Sequence, residues 1–275
     1  MSSNGNNKGN SSESILIELM TDNGVLRLTL NDSKRRNALS EEMMSSIATA
    51  LSKAEKNPDA KVIIISANGP AFCSGHDLKQ MSAGRKNDDG GLAYFTQVFS
   101  SCSALMQQIV NHPKPVIAEV SGVAAAAGCQ LVACCDLAIA SESARFVTPG
   151  VNIGLFCSTP MVALSRNVSN KAAMEMLLTG EMIDAQKAER IGIINRVEEH
   201  QALTQKTLEM ATLIASKSSM VLETGKKAFY GQKDMPLSEA YEYTSQVMVD
   251  NMLKQDAKEG IDAFIEKRQP KWQDK

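Results

Sequence analysis

The fold of this chain is decided by residues 116–154, VIAEVSGVAAAAGCQLVACCDLAIASESARFVTPGVNIG. An apolar run follows Pro115, breaks at Ser121-Gly122, crosses four consecutive alanines and resumes as an apolar segment up to Ala140. This order predicts a strand, a turn, a helix and a second strand. A turn of small residues before a helix leaves backbone N–H groups unpaired at the positive end of the helix dipole. The stretch therefore predicts a site for an anion or an oxyanion at the start of the helix.

The same stretch has two alternative explanations. It is apolar enough to be considered as a membrane span, but residues that a bilayer helix tolerates poorly interrupt it, so we predict no membrane contact. These residues are Glu119, Gly122, Gly128, Gln130 and Asp136. The other alternative is that residues 124–128 are small only because a helix and a sheet pack closely there.

A second stretch favours the ligand site over packing alone. In VIIISANGPAFCSGHDLKQM, residues 62–81, an apolar strand runs into Asn68-Gly69-Pro70 and then into Ser74-Gly75-His76-Asp77. Small residues again stand where the chain must turn sharply. Because each turn follows a buried strand, we expect the two turns to converge on one ligand oxygen.

Composition argues against several functional classes. The 275 residues carry 29 basic and 31 acidic side chains, a net charge of −2, so no broad basic surface indicates nucleic-acid binding. The six cysteines form no CxxC pair, which predicts reduced thiols, no metal site and a cytoplasmic protein. Residues 1–13 are rich in Ser, Asn and Gly and lack the pattern of a transit peptide, so we predict a disordered tail.

The rest of the chain predicts an α/β body followed by helices. Two alternating apolar segments flank Asp22-Asn23-Gly24, which predicts a hairpin. Ser40 predicts the N-cap of a helix. From about residue 201 the pattern is helical only, so we divide the chain into a tail (1–13), a core (14–200) and a helical region (201–275). Met and aromatic residues of that region indicate a core or a subunit interface rather than a cofactor site.

Two loops are candidates for contact with a ligand. Lys34-Arg35-Arg36 is a basic cluster, which is either a solvated turn or a contact for an anion. Ser82 to Gly91 is rich in Gly and Asp and could form a mobile lid. The residues alone do not decide whether the basic cluster contacts a ligand or whether the second loop forms a lid.

From Ile15 to its end, the chain resembles the crotonase superfamily, the enoyl-CoA hydratase/isomerase family. The resemblance is carried by AFCSGHDL, KPVIAEVSGVAAAAGCQLVACCDLAIAS, MEMLLTGEMIDAQKAERIGIINRV and the closing FIEKR. One subgroup of the family is most similar in GHDL, AAAGCQLVACCD and PGVNIGLFCSTP. The resemblance implies an α/β fold, a superhelix (spiral) of ββα turns. It also implies a C-terminal α-helical oligomerisation region that assembles homotrimers, usually paired into hexamers.

The resemblance further implies a site for an acyl-CoA thioester and a place in fatty-acid metabolism. Family members hold the thioester oxygen between two backbone N–H groups, the oxyanion hole, which fall here on His76 and Ala127. Coenzyme A is expected as part of the ligand, with no permanently bound cofactor. Its contacts are expected from one subunit at Lys34, Arg35, Ser74 and Lys79. The last helix of a neighbouring subunit often completes the nucleotide site, which nominates Phe264 and Lys267.

The chain differs from the family at the two positions that carry the catalytic acid/base residues of the hydratases. Family hydratases use two glutamates, and these positions are Gln130 and Gly150 here. An amide cannot act as an acid or a base near neutral pH, and glycine offers no side chain. Since each acid/base group contributes about 10²–10⁴-fold, we predict weak or absent hydratase (lyase) activity. Isomerases that work through one carboxylate at the second position are disfavoured by the same Gly150.

Four other residues are candidates for a role in chemistry or in supporting the site. His76 is either a base or only a backbone donor. Cys157 falls, with Ser158, where related hydroxyacyl-CoA hydrolases carry a Pro-Asp pair, and is either a nucleophile or an inert buried thiol. Asp77 is expected to brace its turn. Glu119, in a buried strand, is either paired structurally or faces a cleft.

Three functional hypotheses follow. The first is an acyl-CoA-binding protein with little hydratase activity. The second is an enzyme that uses His76 or Cys157 for another acyl-CoA reaction, such as thioester hydrolysis. The third is a structural or regulatory subunit that associates with active relatives through its helical region.

Overall fold

The computed structural model describes residues 14–275, and the predicted disordered tail at 1–13 lies outside the described residues. Within this range the strands are β1 (Leu16–Met20), β2 (Val25–Leu30), β3 (Val62–Ala67), β4 (Ala71–Cys73), β5 (Val116–Val120), β6 (Val123–Ala125), β7 (Leu137–Ser141), β8 (Arg145–Val147), β9 (Ile183–Asp184) and β10 (Arg196–Glu198). The α-helices are α1 (Glu41–Lys56), α2 (Leu78–Gly84), α3 (Leu92–Val110), α4 (Ala127–Cys134), α5 (Ser158–Asn167), α6 (Asn170–Thr179), α7 (Ala185–Ile191), α8 (Leu203–Ala215), α9 (Ser219–Gln232), α10 (Leu237–Met252) and α11 (Gln255–Ile265). Short 3-10 helices cover Ser33–Arg35 and Pro149–Ile153.

The strands form two sheets, with the orders β1-β2-β3-β5-β7-β10 and β4-β6-β8-β9. In the larger sheet β1 and β2 are antiparallel and the other neighbours are parallel. In the smaller sheet β4, β6 and β8 are parallel and β9 is antiparallel to β8. Successive strands alternate between the sheets, as β3 then β4, β5 then β6, and β7 then β8, and a helical segment follows each pair. This alternation is the spiral of ββα turns, so the predicted fold class is confirmed.

The predicted N-terminal elements form as expected. Leu16 pairs with Leu30 across the antiparallel hairpin. Gly24 adopts a positive φ of 79° in its turn, a conformation that glycine reaches without a steric cost. The Ser40 hydroxyl accepts a hydrogen bond from the Met43 N–H, which satisfies one of the donors left free at the start of α1.

The central stretch differs from its prediction in one respect. Residues 123–125 form strand β6, which pairs with β4, so the helix α4 begins only at Ala127. A three-residue strand is too short to show a periodicity in the sequence. The small residues also serve packing, because a Cβ at Gly128 would lie 2.2 Å from the carbonyl oxygen of Cys73. Close packing and an unpaired helix start therefore occur together in this stretch.

A buried ion pair accounts for Glu119, whose role the sequence left open. Arg27 donates two hydrogen bonds to the Glu119 carboxylate, one of them at 2.8 Å, and the Thr204 hydroxyl donates a third at 2.9 Å. These contacts join β5 to β2 and to α8. Glu119 is therefore engaged in structural contacts rather than facing a cleft.

The C-terminal helices divide into those that cover the sheet and those that expose apolar side chains. Helix α8 packs Ala211 and Ala215 against Val25, Val62 and Ile117 of the larger sheet. Helix α10 has no buried residue within the described chain. Of the Met and aromatic residues noted in the sequence, the half-buried ones are Met220, Tyr230 and Tyr243, and the exposed ones are Phe229, Tyr241, Met248 and Phe264. They do not form an interior core, and a subunit interface stays a prediction.

Candidate functional site

Two turns of the chain meet at one edge of the smaller sheet. The parallel pairing of β4 with β6 sets Cys73 opposite Ala124, and three residues further along each segment lie His76 and Ala127. A Cβ added at Gly75 would lie 3.4 Å from the backbone nitrogen of Ala127, so the two turns are in van der Waals contact. The expected convergence of the two turns is therefore present.

Both turns present a backbone N–H without a partner. Within residues 14–275, neither the His76 N–H nor the Ala127 N–H donates a hydrogen bond. Ala127 is the first residue of α4, where the helix dipole adds partial positive charge. Ala126 holds the turn with φ 49° and ψ −116°, which is a strained conformation for a residue other than glycine. Unpaired donors on two touching turns have the character needed to stabilise an oxyanion.

The His76 ring is enclosed without hydrogen bonds. Both ring nitrogens are buried and have no partner in the described chain, and the ring packs edge-on against Phe99 with a centroid distance of 5.5 Å. Burial lowers the pKa of His76 against a smaller, opposing effect of the Leu39 backbone, so the imidazole is neutral at pH 7. A neutral imidazole carries one N–H donor and one acceptor nitrogen. The ring therefore has hydrogen-bonding capacity that the described chain leaves unused.

Basic side chains surround a small cavity beside His76. Arg35 and Lys79 line this cavity of about 150 Å³ together with His76. The Asp77 carboxylate accepts hydrogen bonds from the N–H groups of Lys79 and Gln80 and so caps α2, as expected. It also lies 3.6 Å from the Arg35 guanidinium.

The other nominated CoA contacts do not line the cavity beside His76, and their role stays a prediction. Lys34 is exposed on the 3-10 helix that carries Arg35. The Ser74 N–H donates to the carbonyl oxygen of Arg36, which ties the basic loop to the first turn. Phe264 and Lys267 lie at the C-terminal helix α11, where Phe264 is 85% exposed, and neither lines the cavity beside His76.

Asn37 is a supporting residue that sequence reasoning missed. It is fully buried with φ 52°, and its amide donates 2.8 Å hydrogen bonds to the carbonyl oxygens of Asn68 and Ala71. Its own side-chain oxygen accepts from the Asp32 N–H. Asn37 thereby fastens the basic loop to the segment before β4. The available signal was weak, since asparagine tolerates the left-handed conformation but also occurs in ordinary turns.

Gln130 lies one turn into α4 and borders a cavity. Its side chain is 4% exposed, and its Oε1 has no hydrogen-bond partner within residues 14–275. The cavity has a volume of about 410 Å³ and lies among α3, α4, α5 and the end of α9.

Gly150 is buried in the second 3-10 helix, and its missing side chain is replaced by a thiol. A Cβ there would lie 2.9 Å from the Sγ of Cys157 and 3.0 Å from the carbonyl oxygen of Leu155. Burial raises the pKa of the Cys157 thiol, which favours its protonated form. The space beside position 150 is thus occupied by an uncharged group.

The loop expected to be a lid is built from the end of α2 and the residues before α3. Asp89 accepts hydrogen bonds from the N–H groups of Gly91 and Ala93 and so fastens the start of α3. A Cβ at Gly84 would lie 2.2 Å from the Tyr94 ring, so the two helices pack closely there. Movement of this segment stays a prediction.

Within residues 14–275, no group of three or more His, Cys, Asp or Glu side chains is arranged to hold a metal ion. None of the helices in this range combines the length and the apolar character needed to cross a bilayer.

The chain is similar throughout to proteins of one family. The sequence profile of the enoyl-CoA hydratase/isomerase family matches residues 20–275. Mitochondrial enoyl-CoA hydratase domain-containing protein 3 of Rattus norvegicus is 48% identical over 264 residues, covering 96% of this chain and 86% of the relative. The crystal structure of human enoyl-CoA hydratase domain-containing protein 3 is 47% identical to this chain and superposes with a TM-score of 0.90. The match covers 94% of this chain and 100% of the human chain. An enoyl-CoA hydratase structure from Mycobacterium smegmatis has the same TM-score at 43% identity. The match covers 94% of this chain and 99% of the Mycobacterium chain. These relatives confirm the subgroup that the sequence motifs resemble.

The same relatives overturn the predicted cytoplasmic location. The rat, mouse and human relatives are all named as mitochondrial proteins. The prediction rested on the six cysteines, which are all free and buried, and on the lack of a signal-peptide pattern before them. Free thiols indicate a reducing environment but do not distinguish one reducing compartment from another, so the cysteines could not support a cytoplasmic assignment.

Proposed function

This chain belongs to the enoyl-CoA hydratase/isomerase family, and we propose that it binds an acyl-CoA thioester but catalyses conventional hydration weakly or not at all. The observation that carries the proposal is the contrast within one site. Two unpaired N–H groups, on His76 and Ala127, adjoin Gln130, which cannot transfer a proton at neutral pH.

Binding is supported by the polarity of the two touching turns. A thioester carbonyl oxygen placed between the N–H groups would accept two hydrogen bonds at the positive end of α4. Arg35 and Lys79, which line the cavity beside His76, would provide positive charge for the phosphates of coenzyme A. This positive charge comes from two side chains at the cavity, so it does not require a basic surface, and the net charge of the chain is only −2.

Weak hydration is supported by the groups beside the acyl carbons. Adding water to an enoyl thioester requires a base for the water and an acid for Cα. Gln130 is a neutral amide, and the volume at Gly150 is taken by the protonated Cys157 thiol. Since each missing acid/base group is worth about 10²–10⁴-fold, polarisation of the carbonyl alone leaves a slow reaction.

Crotonyl-CoA hydration tests the proposal. We expect turnover at least about 10²-fold below that of an ordinary hydratase of the family, because two proton-transfer groups are absent. Loss of the enoyl absorbance measures the rate. In parallel, butyryl-CoA should raise the melting temperature, since a ligand that binds only the folded state stabilises it. Turnover within tenfold of an ordinary hydratase would contradict the proposed weak hydration. Absence of any thermal shift would contradict the proposed binding of an acyl-CoA thioester.

Thioester hydrolysis is a second candidate, favoured by the neutral imidazole of His76, a residue that lines the small cavity with Arg35 and Lys79. The neutral imidazole would take a proton from water as the water oxygen bonds to the carbonyl carbon. The C–S bond then breaks, and the thiolate of coenzyme A receives that proton.

His76→Ala tests this candidate because it removes the ring and keeps the backbone N–H. Thiol release from a panel of acyl-CoAs should fall by about 10²-fold or more in this variant, while the thermal shift with butyryl-CoA remains. Loss of release in Cys157→Ala instead would assign the reaction to the thiol. No release from any acyl-CoA by the wild type would exclude hydrolysis.

Assembly into homotrimers, or hexamers built from two trimers, is proposed from the family and from the exposed apolar side chains of α10 and α11. These include Leu237, Leu253 and Phe264, each at least 75% exposed. In such an assembly the Phe264 and Lys267 of one subunit would complete the CoA site of its neighbour.

A further inference from the structure

The basic loop before α1 is held in a strained conformation by one side chain. Arg36 and Asn37 have φ values of 53° and 52°, and within residues 14–275 no other two consecutive non-glycine residues both have a positive φ. Residues other than glycine adopt this region at a cost, so it persists only where surrounding contacts enforce it. Asn37 supplies such contacts, because it is fully buried and its amide makes three hydrogen bonds of 2.8 Å.

The strained pair sets where the loop carries its positive charge. Arg35 directly precedes the pair and Ala38 directly follows it, and both line the cavity of about 150 Å³ beside His76. Asn37 does not line this cavity, since its side chain is bonded to backbone carbonyl oxygens of the segment that leads into β4. One wall of the cavity is therefore the loop that Asn37 holds in place.

The opposite wall is the turn that carries the unpaired His76 N–H, and backbone hydrogen bonds join the two walls. The Leu39 N–H donates to the Gly75 carbonyl oxygen at 2.8 Å. The Ser74 N–H donates to the Arg36 carbonyl oxygen at 3.1 Å. Leu39 also pairs with His76 as an isolated parallel bridge. The basic loop and the turn therefore form one frame, in which the positive charge and the thioester donor have a fixed separation.

We propose that Asn37 is a positioning residue that fixes the separation between the phosphate contacts and the thioester donor, so that both ends of one acyl-CoA bind together. When a rigid site holds one end of a ligand, the other end binds without a further loss of freedom, and a loosened site loses this advantage. The inference rests on the proposed function, because it requires the thioester oxygen at the two unpaired N–H groups and the phosphates at Arg35 and Lys79.

Asn37→Gly tests the inference, because glycine adopts a φ of 52° without strain and only the side-chain hydrogen bonds are lost. Calorimetric titration of the full chain compares three ligands. They are butyryl-CoA, S-butyryl-pantetheine, which lacks the phosphates, and adenosine 3′,5′-bisphosphate, which lacks the acyl-pantetheine arm. We expect the variant to bind butyryl-CoA at least about tenfold more weakly than the wild type, while each partial ligand stays within about threefold of its wild-type affinity.

Gly69→Ala disturbs the same frame at a second point and keeps the Asn37 amide. A Cβ at Gly69 would lie 2.6 Å from the Cβ of Ser33, which belongs to the 3-10 helix that carries Arg35. Because the added methyl group displaces this helix, we expect the same selective loss of affinity for butyryl-CoA. This variant therefore tests the inference even where Asn37→Gly does not fold.

Asn195→Ala is the matched control. The Asn195 side-chain oxygen also accepts a backbone N–H at 2.8 Å, but that of Ala138 on β7, which two strands separate from β2 and its basic loop. This control should leave the affinities for all three ligands unchanged.

The outcomes separate the inference from the proposed function. If the wild type does not bind butyryl-CoA, the proposed function itself fails. If the wild type binds it and Asn37→Gly weakens all three ligands by the same factor, Asn37 has only a structural role and the inference is overturned. Unchanged affinity for butyryl-CoA in Asn37→Gly or in Gly69→Ala also overturns it.

Discussion

A chain with glutamate at both positions 130 and 150 should hydrate crotonyl-CoA at least about 10²-fold faster than the wild type. The variant combines Gln130→Glu, Gly150→Glu and Cys157→Ala. The variant adds two carboxyl groups to a site that already has two unpaired N–H donors. The carboxyl groups can transfer the protons that hydration requires, and the N–H donors are unchanged. The rate is measured by loss of the enoyl absorbance.

The third substitution is required by the packing around Gly150. A Cβ there would lie 2.9 Å from the Cys157 Sγ, a contact that forces one of the two groups to move. The φ of Gly150 is not positive, so the backbone itself accepts a side chain. Cys157→Ala removes the sulfur atom, although the Leu155 carbonyl oxygen stays 3.0 Å away and some adjustment remains necessary.

Two controls make the result interpretable. Cys157→Ala alone should leave the slow rate unchanged, because the protonated thiol contributes no proton transfer to hydration. The double glutamate variant without Cys157→Ala should melt at a lower temperature than the triple variant, because the thiol obstructs the new side chain. A triple variant that folds, binds butyryl-CoA and hydrates no faster than the wild type would show that the missing glutamates are not the limiting feature.

The second large effect is expected from Gly128→Ala, which should abolish the thermal shift with butyryl-CoA and lower the free energy of unfolding by about 1–3 kcal/mol. The added methyl group would lie 2.2 Å from the Cys73 carbonyl oxygen, which is backbone and cannot rotate away. Helix α4 must then move from β4, and this movement separates the Ala127 N–H from the His76 N–H. Urea denaturation measures the stability, and the melting temperature with and without ligand measures binding.

Gly225→Ala is the matched control within another helix. No atom lies within 4 Å of a Cβ at this position in α9, so the methyl group enters open space. Alanine is a better helix former than glycine, so we expect a gain of up to about 1 kcal/mol and an unchanged thermal shift. If Gly128→Ala were as stable as the wild type and bound butyryl-CoA normally, the close approach of α4 and β4 would not be what holds the two donors together.

Part of the site could be predicted because it is local in sequence. The turn at Gly75 follows an apolar strand and contains small residues, which is a pattern visible without a structure. The second turn was predicted at Ser121-Gly122 but lies at Ala126, after strand β6. The residue types at Gln130 and Gly150 are likewise visible in the sequence, and their correspondence to the family's two glutamates stays a prediction from the resemblance. Strand β6 was missed because three residues are too few to show a period.

Other features depend on groups distant in the chain. Glu119 could not be assigned until its pairing with Arg27, 92 residues away, was seen. The same is true of Asn37, which reaches the carbonyl oxygens of Asn68 and Ala71. Neither partner can be identified from the local pattern around these residues.

The amino-acid sequence by itself determined the alternation of strands and helices, the two small-residue turns and the absence of glutamate at positions 130 and 150, because turn chemistry, periodicity and residue type act over a few neighbouring residues. Only the tertiary structure decided that the register of β4 against β6 brings both N–H donors to one edge, that Cys157 occupies the space beside Gly150 and that the Oε1 of Gln130 has no partner within residues 14–275. Those facts depend on which distant segments fill the same volume, and close packing settles that for the whole chain at once.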